Sequence, residues 1–521
     1  MARLMAFFER GALRACRRLR SIACGVQVLL FLFGGGPAAA QPPSARPDFG
    51  GETVAQPATL APADAPRALT SEIPPAEPVP AYAAAEAGDG AGAALTPELQ
   101  SILQRLDALE KEAAKQATAA DKPPESKPAS AAAEKKSPDV PLDKWNVKLG
   151  GHMQMDWIHW PDASPQIPAQ DYFEFRRLRL LADGAGYGVY DFRLQIDVEP
   201  EGGDGATTPV VDVKDAYFSA NQVPLLDRWR IGNFFVPFSL EQVTNDTMNI
   251  FLERSIPTQG VFAADREVGM AFYGVNDAQD FTFTSGVFFD GISESLKERI
   301  DDNQGTRFSG RATWLPYYDE SSQGRHLVHL GSGVLFTDDQ DGVVRFRARP
   351  QIHEGPFLID TGSVAASDYV SGNVELATVW GPFSVQSELF LTGVNRAAGG
   401  PANLQGGYVH GSCFLTGENR LYERYGQHGA QFGRTTPREN LFLLPGCYGW
   451  GAWELKARYS QLDLEELAAG RYDDFTFGFN HYWSDRIRVM FDWIHPVASP
   501  DSRPLGDAQA DVIGMRFDWN W

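Results

Sequence analysis

The chain ends in an alternating run in which Ile513, Met515, Phe517, Trp519 and Trp521 are apolar and Gly514, Arg516, Asp518 and Asn520 lie between them. Successive side chains of a β-strand point to opposite faces, so this run presents one apolar face up to the final residue. A soluble sandwich would have to bury that face, whereas a transmembrane barrel turns it to lipid and keeps the opposite face for a polar lumen. The same period recurs upstream. Tyr190, Phe192, Leu194, Ile196 and Val198 alternate with Asp191, Arg193, Gln195, Asp197 and Glu199, and similar alternation marks 280–290, 326–337, 382–394, 451–460 and 472–483. Each segment alone is a weak signal; their repetition predicts an all-β, antiparallel transmembrane barrel over 143–521. About 17 strand candidates can be marked from Trp145 onward, and bacterial single-chain barrels close with an even number, so 16 or 18 strands are expected.

The preceding part of the chain has a different composition. Residues 1–40 carry Arg3, Arg10, Arg14, Arg17, Arg18 and Arg20, an apolar run from Val26 to Phe33, and Ala38-Ala39-Ala40 before Gln41, the pattern of a secretory signal peptide. Residues 41–142 hold 16 prolines and two aromatics, Phe49 and Tyr82, too little apolar surface to offset chain entropy, and are expected to form a disordered periplasmic tether. Within it Thr96 and Pro97 start a helical pattern in which Leu99, Ile102, Leu106, Leu109 and Ala113 recur at three and four, predicting a short helix over 96–116. That seam suits a self-associating coiled coil, and a transient helix is the other reading.

Charge and cysteine content narrow the function. The formal net charge of −21 disfavours nucleic acid as a partner. After the signal segment only Cys413 and Cys447 remain, in a compartment that permits a disulfide. Two cysteines without a histidine pair at ligand spacing make a metal site there less favoured. No nucleophile elbow, metal-spaced histidine pair or phosphate-cradling glycine loop stands out, which argues against an enzyme and against a cofactor.

The most informative chemistry is basic. Arg345, Arg347 and Arg349 stand two residues apart and project from one face of a strand. At mid-membrane a lipid-facing arginine costs about 2–4 kcal/mol, so the lumen is the expected side, where stacked guanidiniums form a relay of anion sites. Leu178 and Leu180 assign Arg177 and Arg179 to the lumen and Arg176 to the outer face or the rim, and Arg193 belongs to the polar set of its strand. Between Phe235 and Arg266 lies a connection too long for a turn, holding Glu241, Gln242, Glu253 and Arg254, and a loop of this length in a barrel can fold inward and narrow a pore.

Several motifs occur in a fixed order: Phe175-Arg176-Arg177-Leu178-Arg179, Lys214-Asp215-Ala216-Tyr217, Pro237-Phe238-Ser239-Leu240-Glu241, Phe251-Leu252-Glu253-Arg254-Ser255, Leu415-Thr416-Gly417-Glu418-Asn419-Arg420, and Gly451-Ala452-Trp453-Glu454-Leu455 with Arg458-Tyr459. Over about 145–521 the chain resembles the bacterial phosphate- and polyphosphate-selective porins O and P. The resemblance implies a 16-stranded outer-membrane barrel, usually a homotrimer in outer-membrane lipid, with an arginine ladder guiding small anions such as phosphate to an inward-folded constriction. It places Arg345, Arg347 and Arg349 on that ladder, Arg176 and Arg177 at its paired arginines, and Arg254 at the arginine of the constriction loop. Departures stand beside these matches. Arg193 replaces a lysine of the phosphate-specific members, Gln242 stands where they carry the central lysine, His152 replaces an arginine, and Lys214 replaces an aspartate. The expected function is an outer-membrane porin passing small hydrophilic anions; the alternative is a structural or adhesive outer-membrane anchor with little conductance.

Overall fold

The structure is a computed structural model that describes residues 144–200, 209–224, 226–289, 305–338, 342–443, 446 and 448–521. The signal segment, the tether, the 96–116 helix and Cys447 lie outside the described residues.

In chain order the strands are β1 Trp145–Ala163, β2 Tyr172–Gly186, β3 Tyr190–Pro200, β4 Pro209–Asn221, β5 Arg228–Phe235, β6 Arg266–Val275, β7 Phe281–Phe289, β8 Thr306–Tyr318 and β9 His326–Asp338. Short pieces β10 Val343–Val344, β11 Arg347–Ala348 and β12 Ile359–Asp360 precede β13 Val364–Trp380, β14 Phe383–Arg396 and β15 Ala402–Phe414. The hairpin β16 Tyr422–Gly426 and β17 Gly429–Phe432 comes before β18 Ala452–Asp463, β19 Arg471–Tyr482, β20 Ile487–Ala498 and β21 Ala508–Asn520. Sixteen of these (β1–β9, β13–β15 and β18–β21) pair antiparallel with their chain neighbours, and β1 pairs with β21 to close the ring. The short pieces account for the surplus over sixteen in the strand reading: β10 adds only two residues beside β13, and β11–β12 and β16–β17 form separate two-stranded sheets.

Burial is inverted relative to a soluble protein. Asp197, Glu375, Glu388 and Asp474 are fully buried while Leu389, Leu391, Val374 and Phe475 are more than half exposed. The apolar phase of every alternating run therefore faces outward and the charged phase inward, as a barrel in a bilayer requires. Aromatic side chains cluster where the strands meet the terminal rim, the end that carries Trp145 and Trp521. Trp145 packs on Tyr187 and Phe192, Tyr317 stacks with Trp380, and Trp519 lies on Trp521. Amphipathic rings favour such a girdle at a membrane–water interface.

Strand alternation assigns each connection to a rim. The connections 236–265 and 339–363 leave the rim opposite the termini, whereas 415–451 leaves the terminal rim. Inward-facing apolar residues of the strands, among them Ile158, Phe390 and Val512, join Phe238 and Phe262 of the first loop and Phe346 and Ile352 of the second in one buried cluster. This packing draws both loops into the barrel.

Candidate anion pathway

Loop 236–265 is held across the lumen by charge. Ser239 caps a single helical turn, α1 Leu240–Val243, its hydroxyl accepting from the Gln242 amide at 3.2 Å. The Glu388 carboxylate on β14 accepts from the Leu240 and Glu241 amides at 3.1 and 2.8 Å and from the Ser239 hydroxyl at 3.1 Å. Three donors at a helix start thus find one carboxyl group from the barrel wall. Arg254 donates to the carbonyls of Glu241, Gln242 and Thr244 at 3.1–3.2 Å and so closes the other end of the turn. Glu241 accepts from the Ser255 hydroxyl at 2.6 Å and pairs with Arg458 of β18 at 3.3 Å. Gln242 is buried and donates to Asp265 at 3.2 Å.

At its far corner the loop meets four guanidiniums. Glu253 accepts from Arg176 at 2.7 Å and Arg516 at 2.9 Å, with Arg177 at 3.6 Å. Asp246 pairs with Arg177 at 2.9 Å and with Arg179, which also binds Asp197 at 2.5 Å. Burial alone would raise the Glu253 carboxyl, but Arg176, Arg177 and Arg516 hold it well below the usual carboxylate range. Asp246 behaves likewise under Arg179 and Arg177.

Arg176 corrects the sequence reading. Gln154 pairs with Arg177 and Met155 with Phe175, which leaves Arg176 as the extra residue of a β-bulge. The bulge restarts the alternation, so Arg176 and Arg177 both face inward instead of Arg176 facing out. Arg193 also faces inward, forked on Asp183 at 2.6 and 2.7 Å and donating to Gln427 at 2.7 Å.

The Arg345 series does not lie on a barrel strand. It is carried by loop 339–363, where Val344, Phe346 and Ala348 alternate into the buried cluster and leave the arginines on the other face. Arg345 is exposed and paired with Asp360, Nε to Oδ1 at 2.8 Å. Arg347 and Arg349 both lie over the Phe357 ring, 4.2 and 4.5 Å from its centroid, and among the described residues neither has a carboxylate at salt-bridge distance. The loop also reaches β18, three strands along the ring from β13, where Gln351 donates to Ser460 at 2.6 Å.

The sequence reading missed the obstruction from the terminal rim. Hairpin β16–β17 rises into the barrel, where Arg311 donates to the Ala430 carbonyl at 2.9 Å and Arg228 to the Gln427 carbonyl at 3.0 Å. Its Tyr422, Ala430 and Phe432 pack with Leu240 of α1, and the Phe432 amide donates to the Thr244 hydroxyl at 3.4 Å. Two connections from opposite rims therefore meet inside the lumen. The available signal was the length of 415–451, far beyond a hairpin turn, together with the alternation around Tyr422 and Gly429. Also missed were Arg311, Lys456, Arg458, Arg488 and Arg516, all buried inward-facing cations that stand in the polar phase of their strands. Cys413 on β15 is half-buried and sits opposite Leu455.

The chain resembles solved outer-membrane channels at low identity. A loop-deletion mutant of OmpT, an outer-membrane protein of Vibrio cholerae, is 10% identical with a TM-score of 0.47 over 73% of this chain and 100% of that one. The anion-selective porin from Comamonas acidovorans is 13% identical with a TM-score of 0.41 over 73% and 100%. The outer-membrane channel DcaP of Acinetobacter baumannii is 10% identical with a TM-score of 0.43 over 72% and 97%. No curated protein matches the sequence. The family model for the phosphate-selective porins O and P spans residues 147–521, the whole barrel from its first strand to its last residue. A closed sixteen-stranded barrel with an outward apolar belt and that match over its full length make the chain a member of the porin O and P family, an outer-membrane porin and not an enzyme.

Proposed function

We propose that this porin passes small hydrophilic anions by diffusion, with loop 339–363 supplying the guanidiniums that select them. The observation that carries this reading is the pair Arg347 and Arg349, stacked on Phe357 with no carboxylate partner among the described residues. Most other inward arginines are neutralised by acids, so they shape the lumen and contribute little net field. A guanidinium stacked on a ring keeps its in-plane donors for a passing oxyanion. Phosphate and carboxylate fit this chemistry equally well. The family's phosphate preference is not carried over, because the buried amide of Gln242 faces Asp265 where the phosphate-specific members place a lysine. Assembly as a homotrimer and a periplasmic position for residues 41–142 complete the proposal.

The three inward connections favour one competing reading, an outer-membrane anchor whose lumen is closed. Planar-bilayer recording separates the two. A porin gives current and a reversal potential in asymmetric potassium chloride that reports anion preference, repeated with phosphate to rank the solutes. A folded protein that inserts without current would overturn the proposal.

A further inference from the structure

Where loop 339–363 reaches the barrel wall, three ligand-bearing side chains converge. Glu174 of β2 is joined by His353 and Glu354 of the loop, and one ligand atom from each lies within 4.8 Å of the others. His353 Nδ1 is 2.9 Å from Glu174 Oε2 and 3.8 Å from Glu354 Oε1. Zinc bonds of about 2.0–2.2 Å to nitrogen and oxygen place tetrahedral ligands about 3.3–3.5 Å apart, so these separations bracket the requirement. The frame is also fixed. The Tyr172 hydroxyl accepts from the Glu354 amide at 3.1 Å and donates to the Glu354 carbonyl at 3.2 Å, and Arg349 donates to the His353 carbonyl at 2.5 Å.

We propose that Glu174, His353 and Glu354 form a binding site for one divalent transition-metal cation of the zinc class. One imidazole nitrogen and two carboxylate oxygens leave a fourth tetrahedral position for water, and the nitrogen favours zinc over magnesium or calcium. The guanidiniums of Arg176, Arg177, Arg349 and Arg516 lie nearby and oppose a cation, but Arg176, Arg177 and Arg516 share Glu253 at 2.7, 3.6 and 2.9 Å. The cation joins the loop that carries Arg345, Arg347 and Arg349 to the first rows of β2. Resting on the anion-porin reading, a bound zinc also adds positive charge beside Arg349 and strengthens anion preference.

The test uses the full mature chain without a histidine tag, chelator-washed and in detergent, titrated with zinc chloride by calorimetry. One saturable zinc per chain is expected, with no comparable heat from magnesium. His353→Gln and Glu174→Gln should each weaken binding at least tenfold, while His495→Gln, which removes a different histidine–carboxylate pair, should leave it unchanged. If Glu174→Gln fails to fold, Glu354→Gln replaces it, since Glu354 lies on the loop outside the barrel sheet. Absence of saturable zinc, or variants that bind like the parent, overturns the site. In bilayers, zinc should shift the reversal potential further toward anions in the parent and not in His353→Gln. Zinc binding without any channel current would uphold the site and refute the porin reading, so the two failures are distinct.

Discussion

Arg516 and Asp156 face each other across the closing seam of the barrel, Nε to Oδ1 and Nη2 to Oδ2 both at 2.7 Å, and the same guanidinium reaches Glu253 of the inward loop at 2.9 Å. One buried arginine therefore ties the last strand to the first and the first constriction to both. Arg516→Ala leaves two carboxylates without their shared partner, a loss of about 3–5 kcal/mol. The expected outcome is a lower unfolding temperature on heated gels and a larger, noisier single-channel conductance as the loop loosens. Parent-like values for both would contradict the tie.

The acid side of the same contact predicts pH behaviour. Glu253 is held well below its ordinary value of 4.5, so its contribution to loop placement is complete above pH 4.5 and is lost only as pH falls from there toward the depressed value. The difference in conductance between the parent and Glu253→Gln should stay constant from neutral pH down to pH 4.5 and shrink only in more acidic solution. Glu253→Gln should show the acidic behaviour at neutral pH. A parent-minus-variant difference that disappears between neutrality and pH 4.5 would count against Glu253 as the latch.

For the guanidinium series the structure ranks three residues that look equivalent in sequence. Arg345 is paired with the Asp360 carboxylate, whereas Arg347 stacks on Phe357 and Arg349 stacks on Phe357 and donates to the His353 carbonyl, neither with a carboxylate at salt-bridge distance among the described residues. A free charge roughly 5–8 Å from a passing anion contributes about 0.5–0.8 kcal/mol in water. Arg347→Gln and Arg349→Gln should each lower the anion-to-cation permeability ratio about two- to fourfold, and Arg345→Gln should change it less. Equal effects at all three positions would show that the Asp360 pair does not persist in solution.

Restoring the lysine of the phosphate-specific relatives tests the departure at Gln242. Its amide nitrogen lies 3.2 Å from Asp265, so the ammonium of Gln242→Lys would meet that carboxylate before any solute. The single variant is expected to leave phosphate block of chloride current nearly unchanged. Gln242→Lys combined with Asp265→Asn should increase it. Strong block in the single variant would mean that the lysine escapes Asp265.

The barrel itself was legible because lipid outside and water inside impose one rule on every strand, and Leu194 outward with Gln195 and Asp197 inward obey it as written. Arg176 was misplaced because one bulged residue shifts the phase of alternation, and the shift depends on the partner strand, where Gln154 and Met155 set it. The Arg345 series kept its one-sided spacing, but its apolar face is buried by loop residues such as Phe262 instead of by lipid, and a sequence period does not say which of the two covers it. Pairing was the least legible property: Glu253 lies 77 residues from Arg176 and 263 from Arg516, and only the closed ring brings them together.

The hairpin from the terminal rim yields the prediction that most directly probes the pore. Phe432 is fully buried against Tyr422, Ala430 and Leu240, with Arg420 3.7 Å above its ring. His329 adds a second anchor, joining the Tyr422 hydroxyl at 2.6 Å to Glu375 at 3.0 Å. Phe432→Ala removes the centre of this cluster at a cost of about 3–5 kcal/mol, charged to the hairpin more than to the barrel because no barrel-strand pairing involves β17. The hairpin should then leave the lumen part of the time. Recordings should show a second, larger conductance level, and deletion of residues 421–433 should make that level permanent while the unfolding temperature of the barrel moves little. If the deletion leaves conductance at the parent value, the hairpin does not limit flow and the loop at 236–265 sets the constriction alone.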